Sequence, residues 1–441
     1  MMSMAAFAIG IGNLWKFPYV VGNSGGGAFL LVYVIMVLIF GIPCFMIELA
    51  LGRASQQSPI SGMRVLEGNK KNPWQSIGWL GAIAIFLICS YAITIVGGWG
   101  GGYIPKVIGG TFEGMDADQI GGVFGAYAGS TVSIIGNLIA ALLLLACLLS
   151  GVKRGVERIC SILLPTLFVI MIGLAIYANT LPGASEGLIW YLKPDFSAIN
   201  LSVISAAGMQ VCFSIGIGMC CAFVYGSYLE KESSLFGSAV TTGLLDTLIA
   251  ILAGLLIVPA LFSFGIEPTA GPSLIFVTLP QLFTAMGSFG RIFGGLFMLC
   301  VFFAGFTSIL GGAESLVATL TDSTKLTRKT SAIVIVCAMF LLSIPVTYSF
   351  AGGSIGSLTI MGFGLFDFMD FISSGICLPI GAVLMLAYVI FRWKYARLQD
   401  EVAGANGKGL SLPNGLKYYF YIVLPIILLF IVYSILRSYL G

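Results

Sequence analysis

Along its hydrophobic and polar positions the chain is a succession of apolar runs separated by short polar stretches. Eleven runs are predicted to be helices that cross a bilayer: about 1–22, 27–52, 78–105, 131–150, 158–178, 198–228, 236–264, 287–321, 329–348, 367–393 and 415–437. About 20 apolar residues in a helix cover the hydrocarbon core; the longer runs must tilt, break or extend beyond it. The polar stretches at 53–77, 151–157, 229–235, 322–328 and 394–414, with their flanks, hold 16 of the 21 Lys and Arg, Lys16, Lys106, Lys193, Arg291 and Arg437 lying elsewhere. That bias puts those loops and the N-terminus on the cytoplasmic side of a cell (inner) membrane. The 105–130 loop, with Glu113, Asp116 and Asp118, is then external.

Composition fixes the class. Of 441 residues 58% are hydrophobic and 9% charged, with a mean hydropathy of +1.04. Runs of this length are helical, not the ten-residue alternating segments of a barrel, so the chain is an all-α polytopic membrane protein in a single transmembrane domain. A net charge of +3 gives no reason to expect nucleic acid. The ten Cys are scattered, with Cys220-Cys221 the one adjacent pair, and read as small core residues rather than a disulfide or metal framework. The absence of His rules out a Ser–His dyad, and no Gly-x-Gly-Asp motif occurs, so an intramembrane protease, and an enzyme generally, is not expected. The chain opens inside its first hydrophobic run, and an N-terminal tail is expected to precede it.

Two runs carry breaks. Residues 6–18 hold Gly10, Gly12, Asn13, Lys16 and Pro18 within an apolar setting. Gly and Pro weaken a helix, and freed backbone groups survive in hydrocarbon only where protein or a polar cavity satisfies them. The alternative is a Gly-rich helix packed closely on its neighbours. The sixth run repeats the pattern in Phe213-Ser214-Ile215-Gly216-Ile217-Gly218. Five spans separate the breaks, so the two helices run in opposite directions. Interrupted helices at matching places of two inverted halves, here 1–178 (helices 1–5) and 198–393 (helices 6–10) with 415–437 as helix 11, point to a midplane site.

These residues also carry a family likeness. Gly-Ile-Gly-Asn-Leu-Trp-Lys-Phe-Pro-Tyr (10–19) with Gly25-Gly26-Gly27-Ala28-Phe29, Gly41-Ile42-Pro43 with Glu48 and Gly52-Arg53, and Phe303-Ala304-Gly305-Phe306-Thr307-Ser308 resemble the first, second and eighth helices of the neurotransmitter:sodium symporters. The resemblance spans the chain. It implies the leucine-transporter-like fold, a five-plus-five inverted repeat with helices one and six broken, and sodium-driven symport of a small amino acid or amine by alternating access.

The resemblance also implies roles. One sodium site maps to the carbonyls of Ala6, Ile9 and Ala304 and the hydroxyls of Thr307 and Ser308; the other maps to the Ala8 carbonyl, Asn13, Ser214 and Asp246, completed by the substrate carboxylate. From the residues alone, Thr307-Ser308 could equally bond back to their own helix and Asn13 could tie two helices together. The substrate carboxylate maps to the N–H groups of Ile11 and Gly12, and its amine to carbonyls of Ala8, Phe213 and Ser214. Gly10 stands where amine carriers hold an Asp, which favours a zwitterion. Side-chain selectivity maps to Phe213, Gly216, Ile217, Met219, Ser308 and Gly312, with Cys89 or its neighbours, and suits neutral, hydrophobic α-amino acids. One departure concerns the third helix: the family's Tyr lies six residues before a Trp, but here that residue is Ile93 and the nearest Tyr is Tyr91, either through a local shift at Gly97-Gly98 or because the contact is missing. Lys16 and Asp370 match the external gate pair; Tyr228 and Asp322 match the cytoplasmic gate, whose Arg would precede residue 1. Glu48 and Glu314 are expected to pair with internal polar groups, Glu48 compensating the first break. Asp246 in place of an amide, with Ala250 one turn on, supplies a fixed negative charge, so no chloride requirement is expected beside about two sodium ions. The competing readings are a transporter-like amino-acid receptor without flux, a carrier of another small amine or betaine, and a channel.

Overall fold

A computed structural model of the chain describes residue 4 and residues 7–266, 274–351, 356, 359–404 and 409–440. It is almost wholly helical. After a helical turn at Phe7-Ala8 the backbone bends at Ile9-Gly10 and continues as α1 (Ile11–Leu14) and α2 (Lys16–Asn23). There follow α3 (Gly27–Ser55), α4 (Pro59–Leu66), α5 (Gln75–Ile108), α6 (Ala117–Ala128), α7 (Thr131–Leu149) and α8 (Gly155–Ala178). Next come α9 (Ala184–Leu192), α10 (Leu201–Ile215), α11 (Cys221–Ser227), α12 (Leu235–Phe264), α13 (Leu274–Ala285), α14 (Ser288–Ser323) and α15 (Arg328–Tyr348). A two-stranded hairpin, Thr359-Ile360 against Phe363-Gly364, precedes α16 (Leu365–Trp393), α17 (Tyr395–Ala403) and α18 (Leu416–Arg437).

Among the described residues nine helices are long and apolar enough to cross a membrane, and the first and sixth predicted runs are each broken into shorter pieces. The second break is built from three left-handed residues, Gly216 (φ 79°), Gly218 (φ 85°) and Cys220 (φ 61°), a conformation that two glycines make cheap. Glu48, buried on α3, accepts the freed N–H of Gly218 at 2.7 Å. The expectation for Glu48 is thereby corrected: it serves the break in the sixth run, because α3 packs on α11 rather than on the first break alone. α3 and α11 touch backbone to backbone, Gly52 against the Phe223 carbonyl and Gly226 against Leu49, where any Cβ would collide.

The polar stretches hold more structure than their composition suggests. α6 begins with a reciprocal cap, Asp116 accepting from the Gln119 N–H and Gln119 from the Asp116 N–H. Ser130, Asn200, Ser234 and Thr327 cap α7, α10, α12 and α15 in the same sense. Large apolar side chains such as Val169 (72% exposed) and Leu341 (62%) stand on the outer surface, which hydrocarbon tolerates and water would not.

Candidate functional site

The two breaks face each other across a cavity of about 70 Å³; since roughly 10–15 Å³ of such volume holds one water, it has room for a small organic molecule. Its lining includes Ala8, Gly10, Gly12 and Asn13 from the first break, Phe213 and Ser214 at the end of α10, and Ser308 from α14. The rest of the lining is Ile85, Ile88, Cys89, Ala92 and Val96 of α5, Met219, and Gly305 and Ile309 of α14, with Phe7 and Tyr91 completing the wall. No charged side chain is among these residues.

Gly10 and Gly12 are required by close approach. A Cβ on Gly10 would lie 2.9 Å from Ser308 Oγ, and one on Gly12 would lie 2.7 Å from Phe213 Cε1. Gly12→Ala is therefore expected to push the Phe213 ring into the cavity and to weaken ligand binding by about 1–3 kcal/mol, the usual cost of overpacking. Equilibrium binding to the purified protein in sodium buffer measures this; unchanged affinity would remove Phe213 from the wall.

Beside the cavity lies a buried cluster. Asn13 Nδ2 donates to Asp246 Oδ1 (2.7 Å) and to the Asp246 carbonyl (2.9 Å). Ser214 Oγ lies 2.8 and 2.9 Å from the two Asp246 carboxylate oxygens and 3.2 Å from Asn13 Oδ1. The Tyr33 hydroxyl donates to Asp246 Oδ2 at 3.3 Å. Asn13, Tyr33 and Asp246 are fully buried. The cluster thus gathers one carboxylate and several neutral oxygens, a donor set suited to a hard monovalent cation. Tyr33 escaped the sequence reading, because one Tyr in a helix of apolar residues carries no distinguishing pattern.

On the opposite side of the first break, Ser308 Oγ donates to the Phe7 carbonyl (2.9 Å). Thr307 Oγ1 bonds back to Phe303 (2.9 Å) and Ala304 (3.1 Å) on its own helix. Both hydroxyls give their proton to a carbonyl, which leaves oxygen lone pairs available to a cation. Ile9 is buried here; Ala6 lies outside the described residues, as does the side chain of Ile11.

Other expected residues lie nearby without lining the cavity. Gly312 backs onto Cys89, its Cβ position 2.6 Å from the Cys89 Sγ. Gly216 faces the Phe7 ring and Met219 Sδ, and Ile217 is buried within the second break. The apolar face of α5 at Ile85, Ala92 and Val96 could have been found by stepping three or four residues at a time from Cys89, with Ile88 beside it. Between Tyr91 and Trp99 the helix widens into π turns over Thr94–Gly101, a local shift that includes Gly97 and Gly98.

Above the cavity, Tyr91 donates to Asp370 Oδ1 (3.1 Å) and Ser374 Oγ to the same atom (2.8 Å), while Lys16 Nζ sits 4.2 Å from the centroid of the Phe213 ring. On the opposite side, Arg328 grips the buried Glu314 with both terminal nitrogens (2.7 and 2.5 Å), and Tyr228 donates to Glu314 Oε1 (3.0 Å). Asp322 instead accepts the Ser58 N–H at 2.7 Å, at the start of α4. Tyr228 and Asp322 thus have separate partners. Arg53, 1% exposed, binds Glu401 Oε1 (2.7 Å) and the Ser233 carbonyl (2.6 Å).

Interrupted helices that turn backbone groups toward an uncharged midplane cavity are the construction of an ion-coupled secondary transporter. The chain belongs to the sodium:neurotransmitter symporter family, whose family model matches residues 1–112 and 124–440. It is 31% identical over 431 residues to an uncharacterized sodium-dependent transporter of Bacillus subtilis, covering 98% of this chain and 94% of that one. An uncharacterized sodium-dependent transporter of Methanocaldococcus jannaschii is 34% identical, with 97% and 86% covered. Among solved structures, MhsT in complex with L-phenylalanine superposes with a TM-score of 0.85 at 34% identity, covering 98% of this chain and 97% of that chain. The protein is accordingly a sodium-dependent membrane transporter with the leucine-transporter-like fold.

Proposed function

We propose that the chain imports neutral, hydrophobic α-amino acids by sodium-coupled symport with alternating access, two sodium ions accompanying each substrate. The observation that carries this reading is the cavity itself: its lining divides between Gly, Ala, Asn and Ser residues, mostly at the two breaks, and apolar side chains, mostly on α5, and includes no charged side chain. A net-neutral zwitterion with an apolar side chain matches that division, whereas a bare amine would find no counter-charge at Gly10. The L-phenylalanine bound by MhsT supports the same class. In this reading the substrate carboxylate lies on the N–H groups of Ile11 and Gly12, its amine meets carbonyls of Ala8, Phe213 and Ser214, and its side chain lies among Ile85, Ile88, Cys89, Ala92, Val96, Met219 and Ile309.

One sodium ion would take the Ala8 carbonyl, Asn13, Ser214 and Asp246 with the substrate carboxylate; the second would take Ala6, Ile9, Ala304, Thr307 and Ser308. Sharing a carboxylate makes each ligand strengthen the other. The donors Tyr33 and Ser214 already point at Asp246, which supports transport without chloride. Residues 1–178 and 198–393 form the two inverted halves, the N-terminus is cytoplasmic, and Lys16, Asp370 and Phe213 close the outer side. Glu314, Arg328 and Tyr228 close the inner side.

Reconstituted protein is expected to accumulate phenylalanine, leucine or other apolar amino acids under an inward sodium gradient, and to take up little when potassium replaces sodium on both sides. Uptake across an amino-acid panel checks this. Equal uptake in potassium would overturn sodium coupling, and sodium-dependent binding without flux would favour the receptor reading.

A further inference from the structure

A second pocket lies where α17 meets the start of α18, at the end of the bundle that is cytoplasmic in the orientation proposed above. It has a volume of about 520 Å³ and is bounded by Lys394, Tyr395, Gln399, Asn414, Lys417 and Tyr421, among others. Among the described residues that line it none is acidic. The nearby carboxylate of Glu401 is engaged by Arg53. The walls are cross-linked. The Tyr395 N–H donates to the Tyr421 hydroxyl (3.1 Å), the Tyr395 hydroxyl to the Pro413 carbonyl (2.8 Å), and Gln399 Nε2 to the Leu412 carbonyl (2.7 Å) and Asn414 Oδ1 (3.0 Å). Lys417 Nζ rests 5.4 Å from the centroid of the Tyr421 ring. The cleft therefore keeps its shape while holding two ammonium groups at its rim.

Its position argues for the ligand. Lys417, Tyr418 and Tyr421 open α18, a membrane-length helix of which only 28% of the apolar window is buried, and Lys and Tyr at such a start mark the lipid–water boundary. From the pocket a stripe of exposed side chains continues along α18 at four-residue spacing, Tyr418 (70% exposed) at the pocket wall, then Ile422 (53%) and Ile426 (62%). A free phosphate would use the lysines and leave the stripe idle. An amphiphile with an anionic head uses both.

We propose that this pocket binds the phosphate headgroup of an anionic phospholipid of the cytoplasmic leaflet, with Lys394 and Lys417 on the phosphate and an acyl chain along Ile422 and Ile426. Basic pockets between membrane helices on that side suit such headgroups. The site lies apart from the cavity between the two breaks, so lipid binding is measured independently of substrate or sodium.

The test is native mass spectrometry of the full chain with phosphatidylglycerol and with phosphatidylcholine. Wild type is expected to hold phosphatidylglycerol preferentially. Lys394→Gln with Lys417→Gln is expected to weaken that binding about twenty-five-fold, at roughly fivefold for each lysine near the surface. Lys417→Arg retains the preference, and Lys70→Gln with Lys71→Gln, on a different exposed stretch of the same side, leaves it intact. Thermal melting reports whether each variant is folded. Equal loss in both double variants, no loss in either, or no preference in wild type overturns the proposal. Displacement of phosphatidylglycerol by equimolar inorganic phosphate overturns the lipid assignment in favour of a free anion.

Discussion

Asp246→Asn is expected to lose most of its sodium affinity while keeping its fold. The carboxylate is fully buried and accepts from Asn13, Ser214 and Tyr33 at 2.7–3.3 Å. An amide has nearly the same shape, and the Tyr33 hydroxyl can turn from donor to acceptor, so packing is preserved. What disappears is the fixed negative charge beside the proposed cation. Removing one partner of a close, desolvated charge pair costs about 2–5 kcal/mol, which is roughly thirty-fold to several-thousand-fold in affinity. Uptake by wild type is expected to be the same in gluconate and in chloride. The Asn variant should be nearly inactive in gluconate. Sodium titrations of uptake in both anions, beside a melting curve, make the measurement. A wild type that stops without chloride, or a variant with unchanged sodium affinity, removes Asp246 from the sodium site.

Arg328→Ala is expected to release the side proposed to face the cytoplasm. Glu314 has no exposure, while Arg328 retains about a third of its own, so the substitution strands a buried carboxylate with Tyr228 as its remaining partner. Breaking a buried pair in this way costs about 3–5 kcal/mol. Moving a two-state equilibrium from 1:99 to 99:1 takes about 5.5 kcal/mol, so this loss is enough to convert a dominant closed inner face into a minor one. The three residues join the end of α11, the last third of α14 and the start of α15. Spin-label distances across the ends of those helices that this cluster joins should lengthen, and the gradient-driven uptake rate should fall. Arg328→Ala combined with Glu314→Gln is expected to restore much of the closed population, because a neutral amide can still pair with Tyr228 without a stranded charge. If the double variant is as open as the single one, the ion pair is not the latch.

Much of this architecture is legible in the sequence, for a physical reason. Lipid demands long apolar runs, and a break in such a run must be written in Gly, so both Gly-Ile-Gly stretches stand out. What is less legible depends on neighbours that only folding brings together. Thr307 and Ser308 are adjacent, yet one hydroxyl bonds back to its own helix and the other reaches Phe7. Tyr228 and Asp322 look like one gate and go to different partners. Glu48 caps a break four runs further along the chain. Gly312 sits behind Cys89 because α14 presents Gly305, Ser308 and Ile309 to the cavity. The π turns at Thr94–Gly101 change the register of α5 in a way that fixed residue spacing does not capture.

The cavity draws its Gly and Ala lining mostly from the two breaks, where main chain is close to the surface, and its apolar side chains mostly from α5 and α14. Main-chain groups persist through point substitution. A lineage carrying this scaffold can therefore drift from one cargo to another through a handful of changes at Ile85, Ile88, Cys89 and Ile309, leaving the machinery proposed for the common amino-acid head untouched. Divergence of diet among descendants would be cheap, and loss of ion coupling would demand changes of another kind, at the few positions such as Asp246 where the polar chemistry is carried by a side chain.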